Sequence, residues 1–240
     1  MGAAGLTPGV CAAVRTGRSL FPRGVVFTEA AAAMWEQPLP VAEEQHLAGA
    51  VPRRIREFRA GRHSARAGLA RIGLRPELLL PAPGGGVRWP SGAVGSISHS
   101  GRYCAAAVAP AALAAGIGFD AAQRTTVTEV MARAVCRPEE LDRCERDPYP
   151  AEERATLVFS AKEALYKALH PLTGVPLGFQ DVTVTVPAAR LTSGRFWARV
   201  LAPGPLSGLR VQGRYAFTAT EVLTSVVLSH HPTTGKEPTR

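Results

Sequence analysis

The order of helical and strand-like patterns along the chain repeats once, and this order is what most constrains the fold. A long helical pattern beginning near Pro52 is followed by strand-like runs at 94–98 and 102–109. A second long helical pattern, at 151–170, is followed by alternating strands between 181 and 229. Each half therefore offers helices beside a short antiparallel sheet. This predicts an α+β chain, a pseudo-dimer of two similar halves, 1–115 and 116–240.

The composition allows a large core and a basic surface. Of the 240 residues, 46% are hydrophobic and only 20% are charged, yet the formal net charge is +9. Such a surface suits an anionic ligand or an acidic partner protein, and nucleic acid is the competing interpretation. Aromatic residues make up only 6% and no recognised nucleic-acid-binding motif occurs, so we expect no nucleic acid partner.

Cysteine spacing and hydropathy indicate a reduced protein without a membrane span. The cysteines form no CxxC pair and no Cys/His cluster of the zinc type, so we interpret them as thiols in a reducing cytoplasm. The start of the chain is too broken by Gly, Pro and Arg for a signal peptide, and no run of 18 apolar residues occurs. Residues 1–20 and the polar tail 230–240 are expected to be loose.

The stretch "FSAKEALYKALHPLTG" (159–174) carries two cations and a carboxylate on a predicted helix. These residues are Lys162, Glu163 and Lys167. Glu163 and Lys167 are four residues apart, so a solvated ion pair worth about 0.2–0.5 kcal/mol is one interpretation. The other is that the three groups surround a phosphate.

Three further segments could form an anion site with this helix. The arginine-rich helix after Pro52 presents Arg54 and Arg62 on roughly the same side, and guanidinium groups suit a terminal phosphate. A solvated basic face is the alternative. The segment "GSISHSG" (95–101) offers Ser98 and His99 for a pyrophosphate, or else forms a polar hairpin turn.

Asp120 is the only acid in a long apolar stretch, "LAAGIGFDAA". A carboxylate at the end of a buried strand is unfavourable unless it is paired or binds a cation. Mg²⁺ takes oxygen ligands and is commonly shared with phosphates, so it is the cation we expect here. The alternative is that Asp120 caps the next helix.

Together, the four segments resemble the 4′-phosphopantetheinyl transferases, specifically the larger class that modifies the carriers of polyketide, peptide and siderophore synthetases. The resemblance is strongest to the enterobactin-synthetase and mycobacterial type. It covers most of the chain and rests on motifs in a fixed order. These motifs are "RRIREFRAGRHSAR", "WPSGAVGSISHSG", "GIGFDAA" and "FSAKEALYKAL".

The resemblance implies a monomer with coenzyme A between the two halves. The implied reaction moves the 4′-phosphopantetheine group of coenzyme A to a serine of an acyl or peptidyl carrier protein, including carriers of fatty acid synthases. It releases 3′,5′-ADP and requires Mg²⁺. Asp120 and Glu163 are the implied metal ligands, and Glu163 is also the candidate base, with Lys167 as its catalytic partner. The implied coenzyme A contacts are Arg54, Arg62, Arg88, Ser98, His99, Lys162 and Lys167.

Two positions depart from the family motifs. Ala122 stands where the metal motif has a second carboxylate, and Phe159 replaces a tryptophan. A water in place of the lost ligand is our preferred interpretation, because Mg²⁺ readily keeps several waters. Weakened metal affinity and lost activity are the others. A degenerate, non-catalytic protein that binds coenzyme A or a carrier is therefore the alternative function.

Overall fold

The computed structural model describes residues 17–83, 85–146, 150–187 and 192–230. The predictions for the first sixteen residues and for 231–240 lie outside this part of the chain. The structure has the predicted α+β architecture, with two antiparallel sheets that are each covered by one long helix. Short 3₁₀ turns occur at Ala32–Trp35, Gln45–Leu47 and Phe179–Asp181.

The first sheet has three strands in the order β1-β3-β2. These strands are β1 (Val26–Glu29), β2 (Ala93–Ser100) and β3 (Tyr103–Pro110). A short helix, α1 (Val41–Glu44), precedes the long helix α2 (Pro52–Arg71), which packs on this sheet. Pro52 occupies the first turn of α2, as predicted, since a helix needs no backbone N–H donor there.

The second sheet has five strands in the order β4-β8-β7-β6-β5. The strands are β4 (Gly116–Gln123), β5 (Val182–Thr185), β6 (Ser193–Val200), β7 (Arg210–Phe217) and β8 (Glu221–Leu228). Its helices are α3 (Glu129–Val135), α4 (Pro138–Arg146) and α5 (Ala151–Thr173). Helix α5 lies mainly on β4 and β8.

Glycine in β4 allows α5 to approach this strand closely. A Cβ atom built at Gly118 would lie 1.7 Å from the carbonyl oxygen of Ala164, so no larger residue fits. Because Ala164 lies beside Glu163 in α5, the same approach brings the motif of this helix over the strand that carries Asp120. The "GIGFDAA" segment thus sets the distance between the two motifs.

The two sheets meet at β2 and β4, and each of these is an edge strand of its sheet. Two serine side chains of β2 connect them. Ser96 Oγ accepts a hydrogen bond from the Phe119 N–H at 3.0 Å, and Ser98 Oγ accepts one from the Ala121 N–H at 3.1 Å. Apolar packing supports this contact, since the ring of Phe119 in β4 lies 5.2 Å from that of Phe27 in β1.

Candidate active site

A cleft of about 1290 Å³ runs along the meeting of α2, β2, β4 and α5. Both halves of the chain contribute to its walls. Its lining includes seven of the residues that were singled out from the sequence: Arg54, Arg62, Ser98, His99, Asp120, Glu163 and Lys167. Residues distant in sequence are therefore brought to one cavity, large enough for a ligand such as a nucleotide derivative.

Asp120 is buried in this cleft and is hydrogen-bonded on both carboxylate oxygens. Oδ1 accepts from Lys167 Nζ at 2.6 Å and from Ser98 Oγ at 3.1 Å, while Oδ2 accepts from Ser160 Oγ at 2.7 Å. Asp120 lies inside β4, and the cap of the following helix is Thr128. The helix-cap alternative is therefore wrong, and the burial of this charge is balanced by the Lys167 ammonium.

Glu163 also lines the cleft, one turn before Lys167 in α5. In the described part of the chain, however, Lys167 forms its ion pair with Asp120 and not with Glu163. Burial raises the pKa of Glu163, the Lys167 charge lowers it, and the Asp120 carboxylate raises it further. A carboxylate with a raised pKa is a better proton acceptor than an exposed one.

Ala122 lines the same cleft as Asp120, two residues further along β4. Alternate residues of a strand share a face, so a longer side chain at position 122 would point towards the same cavity as Asp120. Gln123, at the end of the strand, also belongs to the lining. Its amide lies beside Gly101, where an added Cβ atom would be 2.8 Å from Gln123 Nε2.

At the other wall of the cleft, His99 lies between a cation and a carboxylate of α2. Its Nε2 is 3.2 Å from Arg54 Nη1, and its Nδ1 is 3.5 Å from Glu57 Oε2. Burial lowers the pKa of His99, Glu57 opposes this, and the charges of Arg54, Lys167 and Arg53 lower the pKa further.

Arg62 lines the cleft from a buried position on α2. Its Nε donates to the Leu79 carbonyl at 2.7 Å, and its guanidinium carbon lies 4.2 Å from the centre of the Phe58 ring. Burial lowers the pKa of Arg62 to about 10. An arginine held in this way is pre-oriented, so an anion that reaches it need not order a flexible side chain.

The carboxylate oxygens at this end of the cleft suit a small hard cation. Asp120 and Glu163 offer carboxylate oxygens to one cavity, and these are the ligands that Mg²⁺ prefers. Among the described residues, no group of three or more His, Cys, Asp or Glu side chains forms a complete metal cage. A cation there would have to take its remaining ligands from a bound anion or from water.

Comparison with known proteins agrees with this geometry. A model of the 4′-phosphopantetheinyl transferase N-terminal domain matches residues 42–109, and one of the 4′-phosphopantetheinyl transferase superfamily matches residues 116–219. The chain is 38% identical over 203 residues to 4′-phosphopantetheinyl transferase Svp of Streptomyces mobaraensis, covering 81% of this chain and 80% of that protein. The chain belongs to the 4′-phosphopantetheinyl transferase superfamily.

Two further relatives are each 34% identical to this chain. Npt of Nocardia iowensis matches over 194 residues, which are 77% of this chain and 87% of that protein. PptT of Mycobacterium tuberculosis matches over 221 residues, which are 88% of this chain and 96% of that protein. Since all three relatives are named as 4′-phosphopantetheinyl transferases, the alternative of a non-catalytic binding protein gains no support.

The structure corrects one of the residues expected at the phosphate site. Lys162 does not face the cleft: its ammonium is buried, forms an ion pair with Glu140 at 2.7 Å, and donates to the carbonyls of Val135 and Phe179. The physical reason is that Lys162 lies on the side of α5 that packs against α3 and α4, where the buried Glu140 carboxylate pairs with its ammonium. Arg88 is exposed beside the lining residue Trp89, and its contact with coenzyme A stays a prediction.

Two residues that contact predicted site residues were not assigned a role from the sequence. Ser160 holds Asp120 Oδ2, and it lies one helical turn before Glu163, on the side of α5 that faces β4. Glu57 contacts His99 and lies one turn after Arg54 in α2. The three-residue helical spacing from each predicted site residue is the signal that would have found them.

No helix in the part of the chain that the structure describes is both long and apolar enough to cross a membrane.

Proposed function

We propose that this chain transfers the 4′-phosphopantetheine group of coenzyme A to a serine of an acyl or peptidyl carrier protein and releases 3′,5′-ADP. The observation that carries the proposal is the convergence of Arg54, His99, Asp120, Glu163 and Lys167 on one cleft in a chain of this family. Cations and a hydrogen-bonding imidazole line the cleft where a pyrophosphate needs charge neutralisation.

In the proposed reaction, the serine oxygen of the carrier attacks the β-phosphorus of coenzyme A. A new oxygen–phosphorus bond forms, the bond from this phosphorus to the bridging oxygen breaks, and 3′,5′-ADP leaves with that oxygen. Glu163 takes the serine proton, a role favoured by its raised pKa. Lys167 and Arg54 hold negative charge of the phosphates.

We further propose that Mg²⁺ is held by Asp120 and one oxygen of Glu163, with phosphate oxygens and water completing its ligands. When bound, it would neutralise charge that develops on the pyrophosphate. In the structure, the Lys167 ammonium supplies the positive charge at Asp120 Oδ1. If Mg²⁺ displaced the Lys167 ammonium from Asp120, Lys167 would be free to contact a phosphate oxygen.

The remaining proposals concern the setting of the enzyme. We propose that the halves are 1–115 and 116–240 and that a single chain is active, since both walls of the cleft come from one chain. Carriers of polyketide, nonribosomal peptide, siderophore or fatty acid synthases are the proposed partners. We also propose a cytoplasmic location, in keeping with the interpretation of the cysteines as thiols.

The decisive experiment is intact-mass spectrometry of an acyl or peptidyl carrier protein incubated with the enzyme, coenzyme A and Mg²⁺. We expect the carrier to gain one phosphopantetheinyl group per modified serine. The matched control is Glu163→Gln, which keeps the size of the side chain but removes its basicity. A panel of both carrier classes that stays unmodified by the native enzyme would overturn the proposal.

A further inference from the structure

The contacts of His99 define which of its two ring nitrogens carries the proton. Nε2 lies 3.2 Å from Arg54 Nη1, and a guanidinium can only donate hydrogen bonds. Nε2 must therefore accept, so the ring is neutral and its single proton is on Nδ1. That nitrogen faces Glu57 Oε2 at 3.5 Å, and an ionised carboxylate can only accept.

We propose that Glu57 is a positioning residue that prepares His99 to take up a proton when a phosphate of coenzyme A enters the cleft. This inference rests on the proposed function for the identity of the ligand. An incoming phosphate competes for the Arg54 guanidinium and releases Nε2 from its present donor. The freed nitrogen then faces an anion, and as long as the Nδ1 proton stays directed at Glu57, Nε2 can donate to that anion only in the doubly protonated imidazolium.

Glu57 is placed to stabilise that imidazolium. Its carboxylate is buried and is itself held by Arg53, whose Nε donates to Oε1 at 2.8 Å. Fixed in this way, Oε2 stays on the Nδ1 side of the ring. After protonation, His99 would lie between a carboxylate and a phosphate, and two opposite charges favour the charged form.

The other charged groups facing His99 lower its pKa, whereas Glu57 raises it. These are Arg53 and Arg54 from α2 and Lys167 from α5, and each lowers the pKa of His99, as does burial. Together with burial, these charges favour the neutral ring. Phosphate neutralises cations of this set as it binds, so the balance shifts towards protonation only in the complex.

The geometry thus predicts that coenzyme A binding takes up a proton, with a defined sign for the pH dependence. Between the pKa of His99 in the free protein and its higher pKa in the complex, affinity falls as pH rises. The decrease is at most about tenfold in affinity per pH unit, since one proton is linked to binding. Affinity stops falling above the higher pKa.

The test is calorimetric titration of the full chain with coenzyme A at fixed Mg²⁺, without carrier, in two buffers of different ionisation enthalpy near neutral pH. The difference between buffers counts the protons taken up. The same titration of the His99→Gln variant measures protonation changes on coenzyme A itself, and this value is subtracted from that of the native chain. We expect the native chain to take up more protons than this variant.

Glu57→Gln should remove most of that difference and flatten the pH dependence of affinity. The matched control is Glu44→Gln, which loses an arginine-paired carboxylate next to the same helix but does not contact His99. It should behave like the native chain. Equal proton uptake by the native chain and by His99→Gln would overturn the inference, and this comparison does not depend on whether Glu57→Gln folds. If Glu57→Gln does fold, proton uptake equal to that of the native chain would also overturn the inference.

Failure of this inference is distinguishable from failure of the proposed function. Coenzyme A that binds without His99-dependent proton uptake contradicts the inference alone, since carrier modification is measured separately. Coenzyme A that does not bind at all contradicts both.

Discussion

Replacing Lys162 by methionine tests whether this lysine stabilises the fold or binds phosphate. Lys162 and Glu140 have side chains that are 2% and 0% exposed, and the ammonium makes three polar contacts within 2.9 Å. Methionine keeps most of the side-chain volume but removes the charge. The carboxylate of Glu140 would stay buried, with backbone donors at Arg137 and Val184 but no cation.

The expected loss of stability follows from that arrangement. Removing one partner of a buried ion pair leaves an uncompensated charge and typically costs about 3–5 kcal/mol. For a chain of this length, each kcal/mol lowers Tm by about 2–4 °C, so a decrease of roughly 6–20 °C is expected. Denaturant unfolding and thermal melts of the substrate-free chain measure it directly.

Two variants make the result interpretable. Arg133→Met removes an exposed ion pair with Glu129, in which the arginine side chain is 78% exposed, and should change stability by less than about 1 kcal/mol. Combining Lys162→Met with Glu140→Gln should recover part of the loss, because the remaining partner is then neutral. A Lys162→Met chain with native stability and strongly reduced affinity for coenzyme A would refute the structural role.

Four further outcomes are expected at the cleft. Glu163→Gln should lower turnover about 10²–10⁴-fold, and it should abolish the decline of the native rate as pH falls through the raised pKa of Glu163; a native-like rate excludes the base role. Ala122→Glu should lower the Mg²⁺ concentration for half-maximal carrier modification, and an unchanged requirement would mean that position 122 does not reach the metal. Arg54→Ala should weaken coenzyme A more than 3′-dephospho-coenzyme A in equilibrium binding, whereas equal losses would assign it another contact. Rising salt should lower kcat/KM for an acidic carrier, because the net charge of +9 favours its approach, and a flat salt profile contradicts such steering.

Local patterns in the sequence were sufficient to predict the strands and helices that build the cleft. The apolar run ending in Asp120 became β4, and the amphipathic pattern after residue 150 became α5. The alternation of elements also predicted two sheets, each with its own long helix. These features depend on period and composition over short windows, which a single sequence contains.

Partner choice among the charged residues was not predictable in the same way. Lys167 is four residues from Glu163 but pairs with Asp120, and Lys162 pairs with Glu140 on another helix. These pairs depend on how α5 packs against β4 and α4, which only the tertiary structure fixes.

The edge-to-edge meeting of β2 and β4 has a consequence for assembly of the chain. Each is an edge strand of its sheet, and the short connection 111–115 leads from β3 of the first sheet to β4 of the second. Made as separate polypeptides, the halves would each present an uncovered strand edge, a feature that promotes pairing with other chains. Within one chain, the two halves shield each other against such self-association, and the Ser96 and Ser98 contacts connect the two strands. Splitting the protein at 111–115 would therefore sacrifice solubility as well as the cleft.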